Sequence, residues 1–217
     1  MTTIKICGLT NLDDAQCALT AGADMLGFIF FPKSPRYVAP ASARAILAGL
    51  GSAQARVTTV GVFVNMPPPL IVDILDQSGL DMAQLSGDEP VSDLTALAGR
   101  AYKVVRSVDQ ARLYLRVKPI PDPIPLHPDL LLDADHPTLY GGSGLRADDS
   151  VASIVARQCR LLLAGGLTPE NVAAAVLSAR PWGVDVASGV EAAPGKKDHD
   201  KIKRFISAVR QADASSA

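Results

Sequence analysis

The sequence predicts an α/β protein folded as a single-domain (β/α)8 barrel, and three observations carry that prediction. Short apolar runs alternate with amphipathic segments along the whole chain, the alternation counts to eight strands, and no linker or shift in composition divides it. Repetition of strand, helix, strand implies parallel pairing with right-handed crossovers. At 217 residues the chain lies near the lower limit for such a barrel, roughly 200 residues. Its loops must therefore be short, and residues 1–217 are expected to form one domain. An open doubly wound sheet would carry a Gly-rich fingerprint after its first strand, and Gly8 alone does not supply one.

The strands are justified in turn. In Thr3-Ile4-Lys5-Ile6-Cys7-Gly8 the isoleucines alternate with Lys5 and Cys7, which places Lys5 and Cys7 on one face. Apolar runs rich in Phe, Ile, Val or Leu follow at Met25 to Phe31, Val57 to Val64, Ala101 to Val108, Asp129 to Asp133, Arg160 to Ala164 and Gly183 to Ala187. Leu80 to Leu85 is weaker but falls where the alternation needs a strand.

Helix start signals lie between them: Asn11 before Leu12, Pro40 to Leu50, Pro68 to Ser78, Pro90 to Ala98, and Thr168-Pro169-Glu170 before Asn171 to Arg180. Ile202, Phe205, Ile206 and Val209 make one apolar stripe on a final helix. The fifth crossover is irregular. Pro119, Pro121, Pro123, Pro125 and Pro128 leave room for a turn or two of helix near Gln110 to Arg116.

Composition excludes several classes. With 48% hydrophobic and 20% charged residues and a formal net charge of -1, nothing suggests disorder, a nucleic-acid footprint or a membrane partner. Cys7, Cys17 and Cys159 are an odd set at irregular spacing, so neither a disulfide framework nor a metal site is indicated. No apolar segment reaches the roughly 18 residues of a membrane span and no signal peptide is apparent. A cytoplasmic protein is expected, with no obligate protein partner evident.

In a barrel of this type, function sits at the carboxyl ends of the strands. Those ends carry Cys7, the loop Lys33-Ser34-Pro35-Arg36, Asn65, Gln84, Arg106, Asp133, Gly165-Gly166 and Ser188-Gly189. Glycines after strands seven and eight let backbone amides approach a ligand, and a short helix N-terminus there adds partial positive charge, together a cradle for phosphate. A small phosphorylated substrate follows. Asp133 tops an apolar strand, where desolvation favours a proton donor. Cys7 taken alone is a small apolar filler, but beside Lys5 it is read as an exposed thiolate. Asp185 is expected inside the barrel, paired with Lys5 because an isolated buried charge is very costly.

Lys5-Ile6-Cys7-Gly8, Gly27-Phe28-Ile29-Phe30 with Ser34-Pro35-Arg36, Gly61-Val62-Phe63-Val64-Asn65, Gln84-Leu85, Leu131-Leu132-Asp133, Gly141-Gly142-Ser143-Gly144, Leu163-Ala164-Gly165-Gly166-Leu167 and Val184-Asp185-Val186 with Ser188-Gly189-Val190-Glu191 together resemble phosphoribosylanthranilate isomerase. The resemblance runs in order over essentially the whole chain. It implies an Amadori rearrangement in tryptophan biosynthesis, without cofactor or metal, that converts N-(5-phosphoribosyl)anthranilate into 1-(2-carboxyphenylamino)-1-deoxyribulose 5-phosphate. It also implies that Cys7 is the general base, Asp133 the general acid, and Arg36 the partner of the anthranilate carboxylate. Lys5, Gln84, Gly165, Gly166, Asp185, Ser188 and Gly189 complete the candidate binding set.

Two positions depart from the family pattern. Ser86 stands where the family usually has His, and Ala147-Asp148-Asp149 where it usually has Phe-Asp-Trp. His127, His136 and His199 are read as solvated surface residues. A histidine-pathway aminoaldose isomerase would be expected to show a second phosphate cradle after strand three, and an indole-forming barrel lysine and glutamate catalysts; neither is found. A binding module that has lost turnover is disfavoured by the presence of both Cys7 and Asp133.

Overall fold

The structure is a computed structural model and describes residues 1–97, 99–116, 127–133 and 146–215. Eight strands alternate with helices: β1 (Thr3–Ile6), α1 (Leu12–Ala21), β2 (Met25–Ile29), α2 (Pro40–Leu50), β3 (Thr58–Phe63), α3 (Pro68–Ser78), β4 (Met82–Leu85), α4 (Val91–Ala96), β5 (Ala101–Val105), α5 (Val108–Leu115), β6 (Leu130–Asp133), α6 (Arg146–Ala156), β7 (Leu161–Ala164), α7 (Val172–Ala179) and β8 (Gly183–Val186). A short antiparallel hairpin, β9 (Glu191–Ala193) and β10 (Lys196–Lys197), precedes the last helix, α8 (His199–Ser215). The eight parallel strands close in chain order, β8 pairing with β1, so the (β/α)8 barrel is realised.

Alternation along each strand divides the core in two. One set of side chains, including Met25, Val60, Met82, Tyr102, Val104, Leu131 and Leu162, fills the barrel. The other packs outward against the helices, where Ile202, Phe205, Ile206 and Val209 form the buried stripe of α8. Register fixes which residues meet inside, because paired residues of parallel strands point to the same face. Lys5 is paired with Asp185, Gln84 with Tyr102, and Asp133 with Ala164.

Several start signals act as read. Asn11 Oδ1 accepts the Asp14 amide at 2.9 Å, and α2 and α3 begin on their prolines. In the fifth crossover, Ser107 Oγ caps α5 by accepting the Gln110 amide at 3.2 Å. Pro119, Pro121, Pro123 and Pro125 lie outside the described residues, as do His136 and Gly141-Gly142-Ser143-Gly144. The backbone of Ala147-Asp148-Asp149 belongs to α6.

The surface assignment of the histidines is corrected at His127 and holds at His199, which is exposed. His127 is 4% exposed; its ring meets Tyr102 edge-on and its Nδ1 donates to the Pro128 carbonyl at 2.6 Å. It precedes β6 and so closes the amino end of the barrel, away from the strand ends that bear the site. His199 bonds Asp14 through Nε2 at 2.8 Å.

Candidate active site

A polar cluster lies under the mouth of the barrel. Lys5 is fully buried, and its ammonium donates to Asp185 Oδ1 at 2.9 Å and Gln84 Oε1 at 2.7 Å. Tyr102 donates its hydroxyl to the same Gln84 oxygen at 2.8 Å, and Gln84 Nε2 donates to Ser86 Oγ at 3.2 Å. Burial is the largest single influence and would depress the Lys5 ammonium, but Asp185, through its charge and its hydrogen bond, together with Cys7 and Tyr102 outweighs it and raises the pKa above the ordinary lysine value. The charge is thus retained where a lone ammonium would shed its proton. The Lys5–Asp185 contact expected from alternation is present.

Above this cluster opens a cavity of about 270 Å³ at the carboxyl ends of the strands. Its wall includes Gln84, Asp133, Asp185, Gly165-Gly166 and Ser188-Gly189, so most of the sequence-derived set converges on one space. The two glycine loops are shaped by their backbone. Gly165 and Gly166 both take positive φ, 93° and 62°, which side-chain-bearing residues rarely adopt. A Cβ on Gly189 would fall 1.8 Å from the Leu167 carbonyl oxygen, so only glycine lets the loop after β8 lie against the loop after β7. Asn171 braces the first loop, accepting from the Thr168 amide at 2.8 Å and donating to the Gly166 carbonyl at 2.9 Å. A three-residue 3-10 turn begins at Ser188.

Cys7 and Arg36 are placed differently from the sequence expectation. Cys7 is not an exposed thiolate. It is 4% exposed, and burial pushes its thiol above the ordinary cysteine range although Lys5 and Lys197 pull it down. It is tied to the cavity wall through its amide, which donates to the Val186 carbonyl at 2.9 Å. Gly27 makes room for it, since a Cβ there would lie 2.8 Å from Cys7 Sγ and 3.2 Å from Lys5 Cε.

The Arg36 stem crosses Gly8, and its Nε and Nη2 donate to Glu191 at 2.8 and 2.7 Å. Glu191 also accepts from buried Lys197, whose Nζ reaches it at 3.1 Å and the Ala187 carbonyl at 2.9 Å. Sequence reasoning missed Glu191 and Lys197 as partners. Their hairpin is too short to show a strand pattern, and the signal was only two lysines, Lys196-Lys197, after the Pro194-Gly195 turn. Among the described residues no group of three or more His, Cys, Asp or Glu side chains is placed to hold a metal ion.

A closed (β/α)8 barrel with a polar cavity at the carboxyl ends of its strands defines a TIM-barrel enzyme by architecture. The family model of N-(5'-phosphoribosyl)anthranilate (PRA) isomerase matches residues 4–208. N-(5'-phosphoribosyl)anthranilate isomerase of Roseiflexus castenholzii is 48% identical over 213 residues, spanning 96% of this chain and 98% of that protein. The crystal structure of phosphoribosyl anthranilate isomerase from Thermotoga maritima superposes with a TM-score of 0.82 at 42% identity, covering 97% of this chain and 100% of the other. A second crystal structure of phosphoribosyl anthranilate isomerase holds reduced 1-(o-carboxyphenylamino)-1-deoxyribulose 5-phosphate; it matches with a TM-score of 0.78 at 38% identity over 97% of this chain and 100% of that one. The chain belongs to the N-(5'-phosphoribosyl)anthranilate isomerase family and is an isomerase of tryptophan biosynthesis. No helix among the described residues is long and apolar enough to cross a membrane.

Proposed function

We propose that the chain converts N-(5-phosphoribosyl)anthranilate into 1-(2-carboxyphenylamino)-1-deoxyribulose 5-phosphate, with Asp133 as general acid and Cys7 as general base. The observation that carries this reading is the meeting of Asp133 with Gly165-Gly166 and Ser188-Gly189 on one cavity. A phosphate held by the amides of the two glycine loops directs the sugar across the mouth towards β6 and β1. Asp133 gives its proton to the furanose oxygen as the C1–O bond breaks, and the nitrogen lone pair forms an iminium. The Cys7 thiolate then takes the C2 proton, leaving an enolamine; proton return to C1 and loss of the enol proton give the ketone. No atom is gained or lost.

The raised Cys7 thiol fits this order of events. Burial keeps most Cys7 thiols protonated, so the base is the minor thiolate form present before the step, favoured by Lys5 and Lys197 and further by the iminium cation that forms beside it. Lys5, Gln84 and Asp185 serve as the braced floor beneath the sugar. The reading also has residues 1–217 as one barrel domain, working in the cytoplasm, where its three free thiols suit a reducing compartment. A coupled assay with freshly formed phosphoribosylanthranilate tests it: turnover by the wild-type chain is expected, and tight binding of substrate without turnover overturns it in favour of a binding module.

A further inference from the structure

We propose that Glu89, paired with Lys103, is a positioning residue for the reaction: it locks the loops after β3 and β4 into one body and so holds Ser86 and Gln84 at the cavity wall. The inference rests on the isomerase reading above. Alternation on β5 turns Tyr102 and Val104 into the barrel, so Lys103 points outward with Ala101 and Val105, towards the helices. An ammonium is out of place in that apolar layer. It is met there by Glu89 from the loop after β4, the two side chains being 4% and 1% exposed. Burial, the largest influence on the Glu89 carboxyl, would raise it, but the Lys103 hydrogen bond and the backbone amides hold it below its ordinary 4.5.

A buried ion pair adds little to stability over apolar side chains of the same size, because desolvation offsets the attraction. What this pair supplies is placement. Glu89 Oε1 accepts the Asn65 amide at 2.8 Å and the Gly87 amide at 3.1 Å, while Lys103 Nζ donates to Glu89 Oε2 and to the Gly87 carbonyl. Asn65 stands in the left-handed region at φ 51°, and its Oδ1 accepts the Asp88 amide at 2.7 Å. A Cβ on Gly87 would collide with Asn65, so the two loops lie in direct contact. Tyr114 of α5 closes the set, donating its hydroxyl to the Glu89 carbonyl at 2.6 Å.

The body so made carries one edge of the site. Ser86 immediately precedes Gly87, and its amide donates to the Phe63 carbonyl at 2.8 Å. Its hydroxyl accepts from Gln84 Nε2 at 3.2 Å, and both residues line the cavity. Gln84 Oε1 in turn accepts from Lys5 and Tyr102, so the same edge reaches the braced floor. Glu89 acts through the peptides it fixes.

The test uses two double variants of the full chain. Lys103→Met in both leaves no buried ammonium stranded; Glu89→Gln then keeps an oxygen for the Asn65 and Gly87 amides, and Glu89→Met removes it. The Gln form is expected to keep a KM for phosphoribosylanthranilate near that of wild type, and the Met form to raise it roughly 10-fold, the scale of buried donors left unmet. Inorganic phosphate, bound on the glycine loops of β7 and β8, should inhibit both forms as it does wild type. Asn65→Gly keeps the left-handed backbone at an exposed position and removes the hold on Asp88, so KM should rise in the same sense; this variant decides the matter if the Met form does not fold. A merely structural pair would lower the urea midpoint and leave the KM of the folded protein unmoved. An unchanged KM in the Met form and in Asn65→Gly, or phosphate inhibition weakened in step with KM, overturns the positioning role while leaving the isomerase reading intact. A wild-type chain without turnover removes both.

Discussion

Arg36 lays its Nε and Nη2 on the two carboxylate oxygens of Glu191, at 2.8 and 2.7 Å, and thereby joins the loop after β2 to the hairpin before α8. Glu191 is shared with Lys197, so one carboxylate answers two cations beside the carboxyl end of β1. The hairpin is held from its other end as well, by Thr10 Oγ1 donating to the Gly195 carbonyl at 2.6 Å and the Lys197 amide donating to Asp14 at 2.9 Å. It acts as a strap across strands one, two and eight.

Glu191→Gln should therefore destabilise the fold by about 3 kcal/mol, because it leaves a buried Lys197 without its counter-charge. Urea unfolding measures this. The pH dependence has a definite sign: burial would raise the Glu191 carboxyl, but the Arg36 hydrogen bonds and the Lys197 charge hold it below its ordinary 4.5. Its contribution is complete above pH 4.5 and lost as pH falls through the lower, folded value. Wild type should lose stability more steeply than Glu191→Gln on acidification, and parallel curves for the two would count against the strap.

Barrel order was legible in the sequence because the strands carry apolar runs and most crossovers open on an asparagine, proline or threonine signal, the irregular fifth and the unsignalled sixth being placed by the alternation alone. The Lys5–Asp185 pair was legible too, since alternation and closure alone bring strands one and eight together. Burial at the strand ends was not. A lone cysteine beside a lysine reads the same whether the thiol is solvated or covered, and what covers Cys7 comes from residues far along the chain. Lys197 is 190 residues away in sequence, and no local pattern links it to strand one. Arg106 was visible as a strand-end residue, but the shielding of its Nε–H from solvent appears only in three dimensions.

The thiols should react in an order set by cover. Cys7 is 4% exposed whereas Cys17 and Cys159 are partly exposed, so alkylation at neutral pH is expected to label Cys17 before Cys7. Burial raises the thiols of both Cys7 and Cys17, so labelling of each should keep accelerating above the ordinary thiol range. Mass spectrometry of time-resolved digests reads this, and early labelling of Cys7 would show that its cover opens readily.

Cys7→Ala and Asp133→Asn are each expected to lower turnover by roughly 10²-fold or more, the scale for a positioned acid or base. Their effects on KM should be smaller, since neither group is asked to hold the phosphate. Single-turnover kinetics with freshly formed phosphoribosylanthranilate separates the chemical step from product release. A variant with wild-type single-turnover rate would lose its assigned role.

The two glycine loops allow a sharper experiment, because they fail for different reasons. At Gly166 a Cβ would meet nothing within 4 Å, so Gly166→Ala adds no clash; it imposes a left-handed backbone on alanine, about 1 kcal/mol, and projects a methyl group from the loop. At Gly189 the methyl would collide with the Leu167 carbonyl, forcing the loops after β7 and β8 apart. Gly166→Ala should therefore raise KM and the inhibition constant of inorganic phosphate while largely sparing stability. Gly189→Ala should also lower the urea midpoint. If phosphate competes equally well with wild type and both variants, the anion does not sit on these loops, and the orientation of the substrate across the mouth must be redrawn.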